Sequence, residues 1–109
     1  MPTTVMENYR AAVAANPQSA EAQTNLGWGI YSQGDYNAAI EQFRVAIKVK
    51  ANFVDAQYGL ALANKRGGRK LEAIAAFETA LELLTTIDDP NRSRLMGKII
   101  RSHLRDIRA

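Results

Sequence analysis

Leu26-Gly27, Ile30, Gly34, Ala39, Phe43 and Ala46 recur 34 residues further on as Leu60-Ala61, Asn64, Gly68, Ala73, Phe77 and Ala80. Five of the seven positions keep their residue, and no gap is needed to align them. A fixed period of this length marks a stacked array, in which each unit buries its apolar face against the next. The residue sizes carry the same message. Gly27, Ala39, Ala46, Ala61, Ala73 and Ala80 are small where helices must approach closely, while Leu26, Phe43, Leu60 and Phe77 fill the space between.

Working outward from this stretch, the helix signals predict six helices and no strand. Thr4-Val5-Met6-Glu7 has the pattern of a capping box, and the helix it opens is expected to end near Asn16, ahead of Pro17. Ser19 caps the next helix, about Ala20 to Gln33, which Gly34 closes in a left-handed turn. Asp35 caps its partner, running to about Val49, and Asn52 is expected to cap a fourth helix from about Phe53 to Arg66. Gly67-Gly68 break the chain before a fifth helix, about Arg69 to Thr86. Asp88-Asp89-Pro90 then combines a carboxylate cap with a first-turn proline and starts a last helix to about Arg108. Shifting Ala39, Phe43 and Ala46 back by one period lands on Val5, Tyr9 and Ala12, so the opening helix reads as the second half of a repeat.

Composition bounds the rest. The chain has 109 residues and fits one domain. It has no cysteine, which excludes disulfides, thiolate nucleophiles and cysteine-based zinc sites. Its apolar runs are short, so no membrane span is expected. Met1-Pro2-Thr3-Thr4 lacks the basic-then-apolar pattern of a secretory leader, which points to the cytoplasm if Met1 is the natural start. The net charge of +3 is unevenly placed: six bases and one acid from Arg92 onward give +5, and the remaining eight bases and ten acids give −2.

At this spacing the residues resemble the tetratricopeptide repeat, a 34-residue helix-turn-helix with leucine-glycine on its first helix and alanine, an aromatic and alanine on its second. The resemblance implies an all-α superhelix, a short right-handed solenoid of about six antiparallel helices. Its parts would be a half-repeat over 4–17, full repeats over 20–53 and 54–87, and a capping helix over 89–108. Gln23 and Gln57 depart from the tryptophan frequent in the family, Asn64 from a large apolar residue, and Ala51 and Thr85 from proline. The resemblance also implies a groove, lined by the first helices, that takes a segment of a partner protein. The places used by relatives that grip chaperone tails through a carboxylate clamp hold Thr24, Trp28, Gly59, Asp89 and Ser93, so that partner class is not expected.

The face left over from packing supplies the candidate site. Glu21, Thr24, Trp28 and Tyr31 follow helical spacings of three and four, and Asp55, Tyr58, Leu62 and Lys65 form a matching stripe one repeat later. Trp28 stands about 200° around the helix from Leu26, which predicts a tryptophan facing away from the core. On that reading Trp28, Tyr31, Tyr58 and Leu62 form an apolar floor, with Lys65 and Arg66 at one end and Glu21 and Asp55 at the other. Trp28→Ala would then remove binding and leave stability nearly unchanged. The competing reading has Trp28 covered by a terminal helix.

On the last helix, Arg94, Lys98, Arg101, Arg105 and Arg108 fall within about 80° of one another. This basic face reads as the solvated side of a cap, or as a contact for an acidic protein, anionic lipid or nucleic acid. Neither it nor the cluster around Lys65-Arg66 and Arg69-Lys70 has interleaved aromatics, which argues against nucleic acid. Self-association of the chain is a third possibility. His103, the single histidine, reads as a packed residue with its polar tip outward. No nucleophile, metal cluster or cofactor motif stands out, so no enzyme activity and no cofactor are expected.

Overall fold

The computed structural model describes residues 4–109, so the reading of Met1-Pro2-Thr3 as free of a leader lies outside the described residues. Six helices follow one another: α1 (Val5–Ala15), α2 (Ala20–Ser32), α3 (Tyr36–Val49), α4 (Val54–Arg66), α5 (Lys70–Leu84) and α6 (Pro90–Arg108). Among the described residues there is no strand. Each helix packs chiefly on its neighbours in sequence, and α2 also meets α4. The result is a solenoid of antiparallel helices with principal extents of 45 × 32 × 24 Å. No helix in the described part is long and apolar enough to cross a membrane.

Local chemistry places most of the boundaries. Thr4 Oγ1, Ser19 Oγ, Asp35 Oδ1 and Asp89 Oδ1 each accept from the backbone N–H three residues on, at 3.1–3.2 Å, satisfying one of the free donors at the helix start. Gly34 and Gly68 take φ of +82° and +79°, the left-handed conformation that turns the chain back at the end of α2 and α4. Asn52 does not cap α4. Phe53 occupies the cap position, where its hydrocarbon side chain cannot accept; its N–H bonds back to Lys50 O, and the helix starts one residue later than expected. The fifth helix also ends earlier than expected: Thr85 and Thr86 turn their hydroxyls onto Glu82 O and Leu83 O and close it at Leu84.

The core is built from the repeating positions. Ala39, Phe43, Ala46, Ala61, Ala73, Phe77 and Ala80 are all fully buried. Phe43 lies between two glycines of neighbouring helices: a Cβ on Gly27 would stand 2.7 Å from its ring, and one on Gly59 would also collide with it. The chain backbone itself therefore walls this phenylalanine on both sides. Phe77 has Ala61 in its cluster, and the imidazole of His103 stacks on it at 5.1 Å with the rings 9° from parallel. The Gln23 position, where the family favours tryptophan, holds a polar clasp. Gln23 Nε2 donates to Pro17 O at 3.0 Å, and Gln42 Nε2 donates to Gln23 Oε1 at 2.6 Å, tying α3 to the turn that precedes α2.

α1 carries no buried residue and packs on α2 through Met6 and Tyr9, which close on Gly29. Val5, which matches the fully buried Ala39 and Ala73, is 62% exposed. At the other end, α6 buries Gly97, Ile100 and Leu104 against α5 and keeps Leu95 and Ile99 in solvent.

Candidate partner-binding groove

α2, α4 and α6 present one common face, and two hollows open on it. One, of about 320 Å³, is lined by Glu21, Thr24, Asn25, Trp28, Phe53, Asp55 and Arg92. The other, of about 370 Å³, is lined by Tyr31, Tyr58, Leu62, Lys65, Arg66 and His103. Trp28 of the first and Tyr58 of the second meet at a centroid distance of 6.1 Å, so the hollows adjoin. A matching register on α2 and α4, one period apart, puts the two side-chain stripes next to each other.

Trp28 is neither free of the core nor covered by a terminal helix. It is half-buried, and its ring stands edge-on to Phe43 at 5.1 Å and to Tyr31 at 5.6 Å, while one side lines the first hollow. The 200° separation from Leu26 fails to free it because Gly27 and Gly59 draw Phe43 close enough to pack beneath the indole. Truncating Trp28 therefore removes core contacts as well as groove surface, contrary to the expectation that stability would hardly change. Thr24 is likewise spent on structure: it is 2% exposed, and its hydroxyl donates to Ala20 O at 2.7 Å. Trp28 also does not share the apolar hollow with Tyr31, Tyr58 and Leu62; it belongs to the polar one.

The two hollows differ in chemistry. In the first, Arg92 Nη2 donates to Asp55 Oδ1 at 2.6 Å, neutralising that carboxylate, while Glu21 is exposed beside it. In the second, the phenol rings and Leu62 make the floor and the polar groups are almost all donors. Arg66 Nε donates to the Tyr31 hydroxyl at 3.3 Å, a bond that raises the guanidinium pKa from its ordinary value. Burial, then the neighbouring Tyr31, pushes the Tyr58 phenol up, so it stays protonated. Lys65 Nζ lies 2.9 Å from His103 Nδ1 and 3.5 Å from Asp106 Oδ2. An ammonium can only donate, so His103 Nδ1 accepts and the neutral ring carries its proton on Nε2. Burial first, and the Lys65 charge second, hold the His103 pKa below its ordinary value, with Asp106 opposing.

Helical spacing on α2 and α4 does not reach Asn25, Phe53, Arg92 and His103, which also line the hollows. Arg92 and His103 come from α6, whose start lies 36 residues after that of α4, whereas α4 starts 34 after α2. One extra residue in α5 and one in the following turn account for the difference. Aligning Met96-Gly97 and Ile100 with Leu26-Gly27 and Ile30 through that longer step marks α6 as a third helix of the same kind, but it puts Asn91, Arg94, Lys98 and Arg101 at the groove positions and does not reach Arg92 or His103.

The basic residues of α6 lie apart from the two hollows. Arg94, Lys98, Arg101, Arg105 and Arg108 are exposed, and Arg108 pairs with Glu78 at 2.7 Å. A third, open hollow of about 410 Å³ lies there among Arg101, Leu104, Arg105, Arg108 and Ala109. Among the described residues no group of three or more His, Asp or Glu side chains comes together to hold a metal ion.

Many solved structures share this architecture. The type III secretion translocator chaperone SycD of Yersinia enterocolitica superposes with a TM-score of 0.84 at 18% identity, over 94% of this chain and 69% of that one. PcrH, in complex with the chaperone-binding region of PopD, gives 0.83 at 16% identity, over 94% and 74%. The first TPR of Spaghetti (RPAP3), bound to the HSP90 peptide SRMEEVD, gives 0.71 at 18% identity, over 88% and 77%. Among curated proteins, no sequence matches the chain. A TPR repeat model matches residues 30–68, and a tetratricopeptide repeat model matches residues 54–83. The 34-residue pattern, the six-helix solenoid and both matches agree: the chain carries tetratricopeptide repeats, matched over residues 30–83.

Proposed function

We propose that this chain is a non-enzymatic interaction module that binds a segment of a partner protein along the face shared by α2, α4 and α6. The observation that carries this reading is the hollow floored by Tyr31, Tyr58 and Leu62, half-buried apolar groups open to solvent and bordered by polar donors. Aromatic rings of this kind bury a large area at low rotamer cost, which suits them as anchors for a partner side chain. The family supports the same class of ligand, since PcrH and Spaghetti were solved with bound segments of other proteins. Three neighbouring helices at 8–10 Å spacing span roughly 25 Å, which an extended segment of roughly eight residues crosses. A contact of that size fits an affinity around micromolar, about −8 kcal/mol.

The test is selection of random peptides of roughly twelve residues, displayed on a carrier, against the intact chain. Selected peptides are then titrated against the wild type and against a Tyr31→Ser, Leu62→Ser double variant, with helicity and melting followed in parallel. These positions are preferred to Trp28 because they spare the indole packing on Phe43. The expected result is loss of binding at least roughly tenfold, the scale of a lost anchor side chain, with the helical signal retained. Equal binding by a folded double variant would place the contact elsewhere.

A further inference from the structure

The hollow of Tyr31, Tyr58 and Leu62 is asymmetric in charge, and its polar groups have assigned tasks. Arg66 is exposed and uses only Nε, which the Tyr31 hydroxyl accepts. That bond leaves both terminal nitrogens of the guanidinium fork free and limits the rotation of the side chain. A guanidinium held this way is suited to a carboxylate, which it can meet with two parallel hydrogen bonds. The Tyr31 hydroxyl accepts from Arg66, so its own proton can be donated to an acceptor on a bound segment. Lys65 adds a second cation, tempered by Asp106 at 3.5 Å. His103 contributes no charge at neutral pH. At the opposite end of the face, Glu21 is exposed and Asp55 is already paired with Arg92, so an acidic group meets repulsion there and attraction here.

We propose that the groove selects a segment in which an apolar side chain, seated between Tyr31, Tyr58 and Leu62, lies within a few residues of an aspartate or glutamate whose carboxylate is gripped by Arg66 and supported by Lys65. This rests on the groove reading above and adds the chemistry of its occupant. The grip differs from the carboxylate clamp of the chaperone-tail binders, whose places here hold Thr24, Trp28, Gly59, Asp89 and Ser93. It recognises a side chain within a segment, so a free chain end is not required. Tyr31 acts in two ways: its ring is floor, and its hydroxyl is a positioning group for Arg66.

The experiment uses the selected peptides, synthesised with amidated C-termini, and versions in which each Asp or Glu becomes Asn or Gln. Binding by fluorescence anisotropy is measured on the wild type, Arg66→Gln, Tyr31→Phe, and Arg105→Gln as a basic-residue control outside the groove. The expected pattern is enrichment of an acidic residue near an apolar one among the selected peptides. The amide version should bind the wild type roughly tenfold more weakly, the scale of one charge-assisted contact. On Arg66→Gln the acidic and amide versions should bind alike, and Tyr31→Phe should weaken the acidic version while sparing the amide version. Arg105→Gln should change neither. An acidic preference that survives Arg66→Gln, or selected peptides without acidic enrichment, overturns the inference and leaves the groove reading standing. Binding that is indifferent to the Tyr31→Ser, Leu62→Ser variant removes both.

Discussion

The α2–α3 and α4–α5 hairpins are built on the same positions and put them to different use. Phe43 and Phe77 occupy the same place, yet Phe43 is enclosed by the backbone at Gly27 and Gly59, and Phe77 by Ala61 and a histidine ring. On the groove face Trp28 and Tyr31 give way to Leu62 and Lys65. Behind it, the Gln42–Gln23 clasp of the first hairpin has Ala76 and Gln57 at the matching positions. Positions that keep their residue across the period hold the helices together. Those that change at fixed register set what the face can bind.

The largest expected effect separates the two phenylalanines. Removing either fully buried ring leaves a cavity, at a cost of about 3–5 kcal/mol. The cost depends on how far the surroundings collapse. Backbone at Gly27 and Gly59 can move little, whereas the His103 side chain can follow into the space left by Phe77. Phe43→Ala should therefore destabilise more than Phe77→Ala, read as the shift in urea midpoint at constant slope. Equal shifts would mean that the glycine walls add nothing to the α2–α3 core.

This contrast also measures what was legible in the sequence. Small and large residues at a 34-residue step suffice for the fold, because close helix approach admits few side chains. Cap residues with a side-chain acceptor were legible for the same local reason, and Phe53 was not, because a backbone bond to Lys50 O set that boundary. The groove was legible in part. Helical spacing alone aligned Tyr31, Tyr58, Leu62, Lys65 and Arg66, which line one hollow. It could not reveal that Phe43 reaches under Trp28, since that depends on two glycines in different helices. Nor could it bring in His103, which matches Gln33 and Gly67 after the longer step into α6 and so falls outside the stripe.

A middle-sized effect is expected where the hairpins differ at Ile30 and Asn64. Asn64 is 1% exposed; its Nδ2 donates to Leu60 O at 3.0 Å, but its buried Oδ1 has no partner. A buried acceptor left unsatisfied costs about 1–3 kcal/mol, and the bond to Leu60 O returns about 1 kcal/mol. Asn64→Leu, with the same number and branching of side-chain heavy atoms and matching the apolar character of the first hairpin, should raise stability by about 1 kcal/mol. A loss of similar size would show that the amide serves the interface in a way that its contacts do not reveal.

The smallest effect separates the two cores by pH. His103 covers Phe77, and the groups that face it are Tyr58 and Lys65 from α4, Phe77 from α5 and Asp106 from its own helix. Its folded pKa lies below the ordinary value of 6.5, through burial first and Lys65 second. The unfolded chain therefore binds more protons between the two values, so stability rises with pH there and falls as pH drops below about 6.5. Once pH is below the folded value both states are protonated and the loss stops growing. Urea midpoints between pH 7.5 and 5.5, above the range where ordinary carboxylates titrate, read this directly. His103→Phe keeps a ring on Phe77 and should flatten the slope, while Lys65→Met should leave most of it, because burial is the larger cause. A slope that persists in His103→Phe would assign it to another group. Amide exchange places the effect: protection in α4, α5 and α6 should fall with pH more than in α2 and α3, since Phe43 has no titrating ring stacked on it.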